Sequence, residues 1–135
     1  MRAITFFMIW GYDPYVNPED LNLPRLVFTK DRDEMVKTSD FLSLHDPLAT
    51  ETLRLVGRRE LSLIKLTAFL NNTSRGEIID ELALIEALGQ VKIAGVGLDD
   101  FSQEPPDIHY PFFQMENVIL TPHTGALTLL LQKWQ

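Results

Sequence analysis

Short apolar runs recur along the chain and are separated by polar segments rich in Asp, Asn and Pro. Runs of this length, bounded by turn residues, predict buried strands of a parallel sheet. We predict about five or six strands, centred on the segments FFMIWG, RLVFT, DFLSLH, TAFLNN, KIAGVGLDD and NVILTP. The first run has only Arg2 as a charged neighbour and no small-residue cleavage site, so we interpret it as the end of a helix followed by a core strand rather than a signal peptide.

The segments between these runs carry helix signals. KDRDEMVKTS has acids near its start and a lysine near its end, the order that the helix dipole favours. TETLRLVGRRELSLI is predicted to be helical, with Thr50 as its N-cap and a break at Gly57. Asp80 is predicted to cap ELALIEALGQ, and TGALTLLLQKW to begin a last helix. Apolar residues at helical spacing in the Asp80 helix are Leu82, Ile85 and Leu88.

Strands that alternate with helices predict a Rossmann-like α/β fold, a parallel sheet with helices on both faces. Ligands of such sheets bind outside the carboxyl ends of the strands. The residues that deserve inspection are therefore the polar ones that follow strands. They are Asp13, His45, the loop 72–75, Asp99 and His123.

Composition narrows the function classes. A chain of 135 residues suits one domain, and its net charge of −7 without a basic cluster argues against nucleic acid or an anionic membrane as partner. No apolar run approaches the roughly 18 residues of a membrane span. The lack of cysteine excludes disulfides and cysteine metal sites, and it fits a cytoplasmic location.

Asp13 follows the first predicted strand and precedes Pro14. In dinucleotide-binding units an acid at such a position binds the adenosine ribose hydroxyls, about 20 residues after a G-x-G-x-x-G loop that holds the pyrophosphate. No G-x-G-x-x-G sequence occurs in the 135 residues. The sequence therefore predicts a ribose-binding acid without its usual phosphate loop.

Three further residues that follow strands suit the reduction of a 2-keto acid by a nicotinamide. The Arg75 guanidinium matches a substrate carboxylate. His123 is suited to donate a proton to the carbonyl oxygen as hydride arrives, and Glu104 to orient His123 and favour its cation. Each has a simpler alternative: Arg75 as a surface or cap residue, Glu104 as a solvated loop acid and His123 as a structural histidine.

Five segments, in order and with matching spacings, resemble the cofactor domain of D-isomer-specific 2-hydroxyacid dehydrogenases: YDPY, SDFLSLHDPL with the following TET, NTSRGEIIDELALIEAL, IAGVGLDDF with the following QEPP, and NVILTPHTGA with the following T. The resemblance runs from about residue 5 to residue 128. It implies that Arg75, Glu104 and His123 are catalytic, that NAD is the cofactor, and that small 2-hydroxy or 2-keto acids are the substrates.

The same resemblance implies a set of cofactor contacts. Asp13 stands for the ribose-binding acid and favours NAD over NADP, because a carboxylate repels a 2′-phosphate. Asp99 matches an aspartate near the nicotinamide carboxamide. The remaining implied contacts are His45 and Pro47 on the adenine side, and Thr73, Ser74 and Arg75 beside the nicotinamide.

Departures from the family pattern lead us to interpret residues 1–135 as part of an NAD-binding domain, inactive alone. The glycine loop, the first strand and the substrate domain have no counterpart in the chain, which predicts an exposed edge and self-association, such as a homodimer. Leu66-Thr67 stands where the family often has Pro-Gly, and Val91 where it often has a turn glycine. Asn71 and Asp100 replace apolar residues, and Asp100 adds negative charge where an anionic substrate should bind.

Two other hypotheses remain open. The chain could be a non-catalytic remnant or protein-interaction module that keeps the fold, as the corepressor relatives of the family do. It could also be a metal hydrolase using His45, His109 and His123, although these histidines lack a short-range ligand spacing.

Overall fold

The computed structural model describes residues 8–20 and 25–125. In these residues six parallel strands form two sheets, a pair β1–β2 and a four-stranded sheet in the order β3-β4-β5-β6. The strands are β1 (Ile9–Gly11), β2 (Leu26–Phe28), β3 (Phe41–Leu44), β4 (Phe69–Asn72), β5 (Gly95–Leu98) and β6 (Val118–Leu120). The Rossmann-like α/β prediction is confirmed, with the difference that the strands divide into two sheets.

Helices alternate with these strands: α1 (Arg32–Thr38), α2 (Arg58–Leu63) and α3 (Glu81–Gly89). The Asp31 carboxylate caps α1 by accepting a hydrogen bond from Glu34 N at 3.0 Å. Asp80 caps α3 in the same way, accepting from Ala83 N at 3.2 Å, as predicted. Short 3-10 turns lie at Pro18–Asp20, Gly76–Ile78 and Pro111–Gln114.

The core lies on one face of the four-stranded sheet. Side chains alternate along β3 and β4, so that Leu42 and Leu70 are buried while Phe41 and Phe69 are exposed. The buried face packs into one cluster with apolar residues of the helices, among them Leu61, Leu84 and Leu88. On the opposite face, which we call the phenylalanine face, Phe41 and Phe69 stack at 5.6 Å beside the exposed Ile119 of β6.

The helix predicted for TETLRLVGRRELSLI is wrong before Gly57 and correct after it. Residues 50–54 form turns, Val56 pairs with Ile79, and the helix begins only at Arg58, after Gly57 as its N-cap. Val56 N donates to Ile78 O at 3.1 Å, and a helical backbone could not make that long-range bond. Gly57, predicted as a break, is therefore the start of the helix.

Two other expectations also change. Leu82 is 76% exposed, because α3 buries Ala83, Leu84, Ala87 and Leu88 instead. The first strand is not a core strand: Ile9 is 57% exposed, and β2 is its only partner among the described residues. The start of that predicted strand, before Met8, and the predicted last helix, after Gly125, lie outside the described residues.

Asn71 carries no desolvation cost, because its side chain is exposed. It lies over Gly97, where a Cβ would come within 2.8 Å of Asn71 Oδ1. None of the helices in residues 8–20 and 25–125 has the length and apolar character needed to cross a membrane.

Candidate active site

The loop after β4 carries Arg75 and is held from below by Asn72. The Asn72 side chain is fully buried, accepts from Ser74 N at 3.0 Å and donates to Arg75 O at 2.8 Å. Ser74 Oγ donates to Leu44 O at 3.1 Å, which ties the loop to the end of β3. An asparagine at the end of a strand is a turn signal that can be read from the sequence. That Asn72 supports the whole loop is evident only from the burial of its side chain.

Arg75 lies at the surface, with half of its side chain exposed. Its Nη1 donates to Ser74 O at 2.7 Å and lies 3.6 Å from Asp100 Oδ2. The next residue, Gly76, packs against the chain after β5, where an added Cβ would lie 2.4 Å from Phe101 C. Only glycine permits this close approach, which brings Gly76 N within 3.1 Å of Asp100 Oδ1.

The loop after β6 is organised by Asp99. Its buried carboxylate accepts from Thr124 N at 2.9 Å, from Gly125 N at 2.6 Å and from the Thr121 hydroxyl. Burial raises the pKa of Asp99, but these hydrogen bonds outweigh burial and hold that pKa below its usual value. His123 has a positive φ of 52°, and its N–H donates to Asp99 O at 2.8 Å.

The loop after β5 brings Glu104 to the same edge of the sheet. Glu81 of α3 braces this loop by accepting from Ser102 N at 3.2 Å and from the Tyr110 hydroxyl. Burial and the Glu81 carboxylate both raise the pKa of Tyr110, which therefore stays a neutral donor. Glu104 extends from this braced loop, and its Oε1 lies 3.3 Å from His123 Nδ1.

Arg75, Glu104 and His123 are thus placed together, and Asp100 connects them. Asp100 Oδ2 lies 3.4 Å from His123 Nδ1 and 3.6 Å from Arg75 Nη1. The sequence analysis predicted the charge of Asp100 where the substrate should bind, but not its burial or its contacts with Arg75 and His123. A nearby arginine, histidine and acid are the groups expected for binding a carboxylate and exchanging a proton.

The same cluster offers three donors to a small cation, because ligand atoms of Asp100, Glu104 and His123 lie within 4.8 Å of one another. The Arg75 guanidinium beside Asp100 opposes such an ion by like charge. Among the described residues this is the only such cluster, and it does not include His45 or His109.

The remaining predicted cofactor residues are spread along the carboxyl ends of the strands. Asp13 is exposed after β1 and accepts from Tyr15 N at 2.8 Å through Oδ1. His45 Nε2 lies 2.9 Å from Ser43 Oγ, and the Pro47 carbonyl accepts from the Thr52 hydroxyl at 2.6 Å. Thr73 is exposed where the loops after β4 and β6 meet.

These groups suit the two ends of a dinucleotide. The exposed Asp13 carboxylate keeps Oδ2 without a protein donor among the described residues, so it can accept from ribose hydroxyls. The other end of the edge carries Thr73 next to the ordered loop 121–125.

A parallel α/β domain with its polar site at the carboxyl ends of the strands has the arrangement of the open α/β class, which includes the dinucleotide-binding domains. Within that class, residues 3–125 match the family described as D-isomer specific 2-hydroxyacid dehydrogenase, NAD binding domain. The chain belongs to this family, which confirms the resemblance and NAD as the cofactor of the domain.

Three curated relatives illustrate the similarity. D-3-phosphoglycerate dehydrogenase of Methanocaldococcus jannaschii is 43% identical over 98% of this chain and 25% of the relative. Glyoxylate reductase of Korarchaeum cryptofilum is 46% identical over 93% of this chain and 38% of the relative. Hydroxypyruvate reductase of Thermotoga maritima is 38% identical over 98% and 43%. The chain thus spans less than half the length of each of these relatives.

Solved structures agree. A D-isomer specific 2-hydroxyacid dehydrogenase from Lactobacillus delbrueckii ssp. bulgaricus, in its NAD-complexed form, has a TM-score of 0.77 at 36% identity, over 88% of this chain and 39% of that chain. An acyclic imino acid reductase in complex with NADPH and D-Arg has a TM-score of 0.78 at 33% identity, over 93% and 38%.

Proposed function

We propose that this chain forms the cofactor-side wall of an NAD-dependent 2-hydroxyacid dehydrogenase site, which interconverts a small 2-hydroxy acid and its 2-keto acid. The assignment rests on the meeting of Arg75, Glu104 and His123 at one sheet edge, with His123 Nδ1 at 3.3 Å from Glu104 Oε1. The names of the relatives suggest glyoxylate, hydroxypyruvate and phosphoglycerate-type acids as substrates to test.

Each side chain has a defined role in this proposal. NAD, when bound, accepts the hydride in oxidation and supplies it in reduction. The exposed Arg75 guanidinium binds the substrate carboxylate. His123 Nδ1 faces carboxylates, which only accept hydrogen bonds, so Nδ1 carries a proton and Nε2 is the nitrogen that exchanges a proton with the substrate oxygen. Glu104 orients the imidazole and stabilises its cation.

Each predicted cofactor residue is likewise assigned to one part of the dinucleotide. Asp13 binds the adenosine ribose and disfavours a 2′-phosphate, which makes NAD the preferred cofactor. His45 and Pro47 line the adenine side, and Thr73, Ser74 and Asp99 border the nicotinamide. Asp99 acts here through backbone, because its carboxylate is already committed to the loop 121–125.

The activity is best tested in a chimera in which residues 8–125 replace the matching segment of the Korarchaeum cryptofilum glyoxylate reductase. We expect Arg75→Ala to abolish most turnover of glyoxylate and His123→Asn to lower kcat by about 10²–10⁴-fold. Glu104→Gln should leave partial activity. Arg58→Ala, a remote arginine on α2, and His109→Asn are matched controls, and a fully active His123→Asn chimera would contradict the assignment.

For the 135-residue chain alone we propose no hydride transfer. Arg75, Glu104 and His123 are each about half exposed, so water reaches all three, and positioning of the two reactants can supply roughly 7–11 kcal/mol of the barrier. Without a glycine phosphate loop in the sequence, we expect NADH binding no tighter than about millimolar, near −4 kcal/mol. Calorimetry with NADH and absorbance assays with millimolar 2-keto acids test both statements, and steady NADH oxidation that Arg75→Ala removes would refute them.

The phenylalanine face supports a second candidate function, a non-catalytic interaction module. Phe41 is 75% exposed and stacks on Phe69, and Ile119 is 72% exposed on the same face beyond the glycines of β5, and exposed apolar side chains favour association with another protein or a second copy. Sedimentation of the chain, with Phe41→Ser as the variant and Phe113→Ser as the exposed aromatic control, distinguishes this function. Oligomers that Phe41→Ser alone disperses would support the module or a homodimer.

A further inference from the structure

Asp100 differs from the other acids of the site in how firmly it is held. Its side chain is only 6% exposed, and its Oδ1 accepts from Gly76 N at 3.1 Å. The other oxygen, Oδ2, faces both Arg75 Nη1 and His123 Nδ1. One fixed carboxylate therefore contacts both Arg75, which the proposed function assigns to binding the substrate carboxylate, and His123, which it assigns to proton exchange.

Glu104 contacts the same imidazole nitrogen from a weaker position. Its side chain is 45% exposed, and its contact with His123 is its only polar side-chain contact among the described residues. An exposed ion pair is screened by solvent and loses side-chain entropy when it forms. Asp100 has already lost that freedom through Gly76 and lies where the effective dielectric is lower, so its charge acts on His123 with less screening, whereas the hydrogen bond to Nδ1 is made by Glu104.

We propose that Asp100 is a positioning residue that holds His123 and Arg75 relative to each other by its charge, and that two carboxylates act on His123 in this chain, Glu104 through a hydrogen bond and Asp100 through a fixed and less screened charge. The charged groups that face the His123 imidazole are Asp100 and Glu104, with Arg75 behind Asp100 and Asp99 beneath the backbone. This inference rests on the proposed role of His123.

Asp100 also offers Arg75 a partner inside the protein. At 3.6 Å the Asp100 carboxylate neutralises part of the guanidinium charge that an incoming carboxylate would otherwise meet. A substrate anion must therefore compete with the buried Asp100 carboxylate for Arg75. The negative charge of Asp100 thus opposes substrate binding, as expected from the sequence, by occupying Arg75.

The test is the tautomer of the neutral His123 imidazole, measured by ¹⁵N NMR on the 135-residue chain at a pH where the ring is unprotonated. In the wild type we expect the Nδ1–H form to predominate. In Asp100→Asn the ratio of Nδ1–H to Nε2–H should fall by about twofold or more, the size of change that the loss of one close charge produces. Glu104→Gln, which removes the charge from the hydrogen-bond acceptor, should lower the ratio as well, and Asp107→Asn, an exposed aspartate on the same loop, should leave it unchanged.

A wild-type measurement covers the case in which Asp100→Asn fails to fold. When the His123 ring gains its proton, the side-chain ¹³C signal of Asp100 should move and that of Asp107 should not. The proposal is overturned if Asp100→Asn leaves the tautomer ratio unchanged, as Asp107→Asn does, or if the Asp100 carboxyl carbon does not respond to the protonation of His123. Neither experiment uses cofactor or substrate, so failure here leaves the proposed dehydrogenase function standing, and the chimera assay tests that function separately.

Discussion

Replacing Asp99 with asparagine should cost much of the stability of the chain. The carboxylate accepts from Thr124 N, Gly125 N and the Thr121 hydroxyl. In Asp99→Asn one oxygen still accepts, but the amide NH₂ then faces the Gly125 N–H, and two donors meet. Hydrogen bonds to charged groups contribute about 1.5–3 kcal/mol each, so we expect a loss of about 2–4 kcal/mol in the free energy of unfolding. Because folded domains are stable by only about 5–15 kcal/mol, this loss would be a large fraction of the free energy of unfolding.

The same carboxylate predicts how the stability depends on pH. The pKa of Asp99 is lowered in the folded chain relative to its ordinary value, through hydrogen bonds that outweigh burial. A group with a lowered folded pKa stabilises the protein above the unfolded pKa, about 3.9, and this contribution is lost as the pH falls through the folded pKa. The stability gap between wild type and Asp99→Asn should therefore be constant near neutral pH and shrink on acidification.

Urea unfolding followed by circular dichroism at several pH values measures the gap. Asp80→Asn is the matched control, because asparagine caps a helix about as well as aspartate, and we expect a change within about 0.5 kcal/mol. If Asp99→Asn were as stable as the wild type at pH 7, or if the gap did not shrink in acid, the organising role given to the Asp99 carboxylate would be refuted.

Two other substitutions test the backbone. Val91 is 69% exposed and has φ 53°, a conformation that costs a non-glycine residue about 1–2 kcal/mol, so Val91→Gly should stabilise the chain by about 1 kcal/mol in urea unfolding. Val91→Ala, which keeps the strain, is its control, and an equal gain there would contradict the explanation. Gly76→Ala should destabilise by about 1–3 kcal/mol, because its Cβ would lie 2.4 Å from Phe101 C and Ser102 N. Gly89→Ala, with no atom within 4 Å, should cost nothing, and a Gly76→Ala chain of wild-type stability would show that the two loops do not pack as described.

Sequence signals were sufficient to predict the strands and the helix ends whose formation depends on neighbouring residues in the chain. Apolar runs between turn residues located the six strands, and capping aspartates located the start of α3. They failed at Thr50–Val56, where the backbone bonds to residues 77–80, over 20 residues away in the sequence. No local pattern reports such a partner, and a run of helix-compatible residues was therefore assigned to a helix.

In the site, too, the residues at strand ends were predicted, whereas contacts between distant loops were not. Strand ends and the family resemblance named Arg75, Glu104 and His123 and placed the charge of Asp100 near the substrate, but the sequence could not show that Asp100 is buried and contacts both Arg75 and His123. Its burial depends on Gly76 approaching Phe101, a contact between two loops that only the folded chain brings together. The supporting role of Asn72 was missed for the same reason.

Among the residues that the structure describes, β1 and β2 contribute no buried core residue, and this affects how a cofactor would bind. Asp13 stands on this peripheral strand pair, whereas Arg75 and His123 stand on the four-stranded core. Segments with few buried contacts open locally at low free-energy cost, without global unfolding. If Asp13 binds the adenosine ribose as proposed, that end of the site would open at a lower free-energy cost than the end that carries Arg75 and His123. Part of the binding energy of a dinucleotide would then be used to order the strand pair, which would link cofactor affinity to the local stability of two short strands.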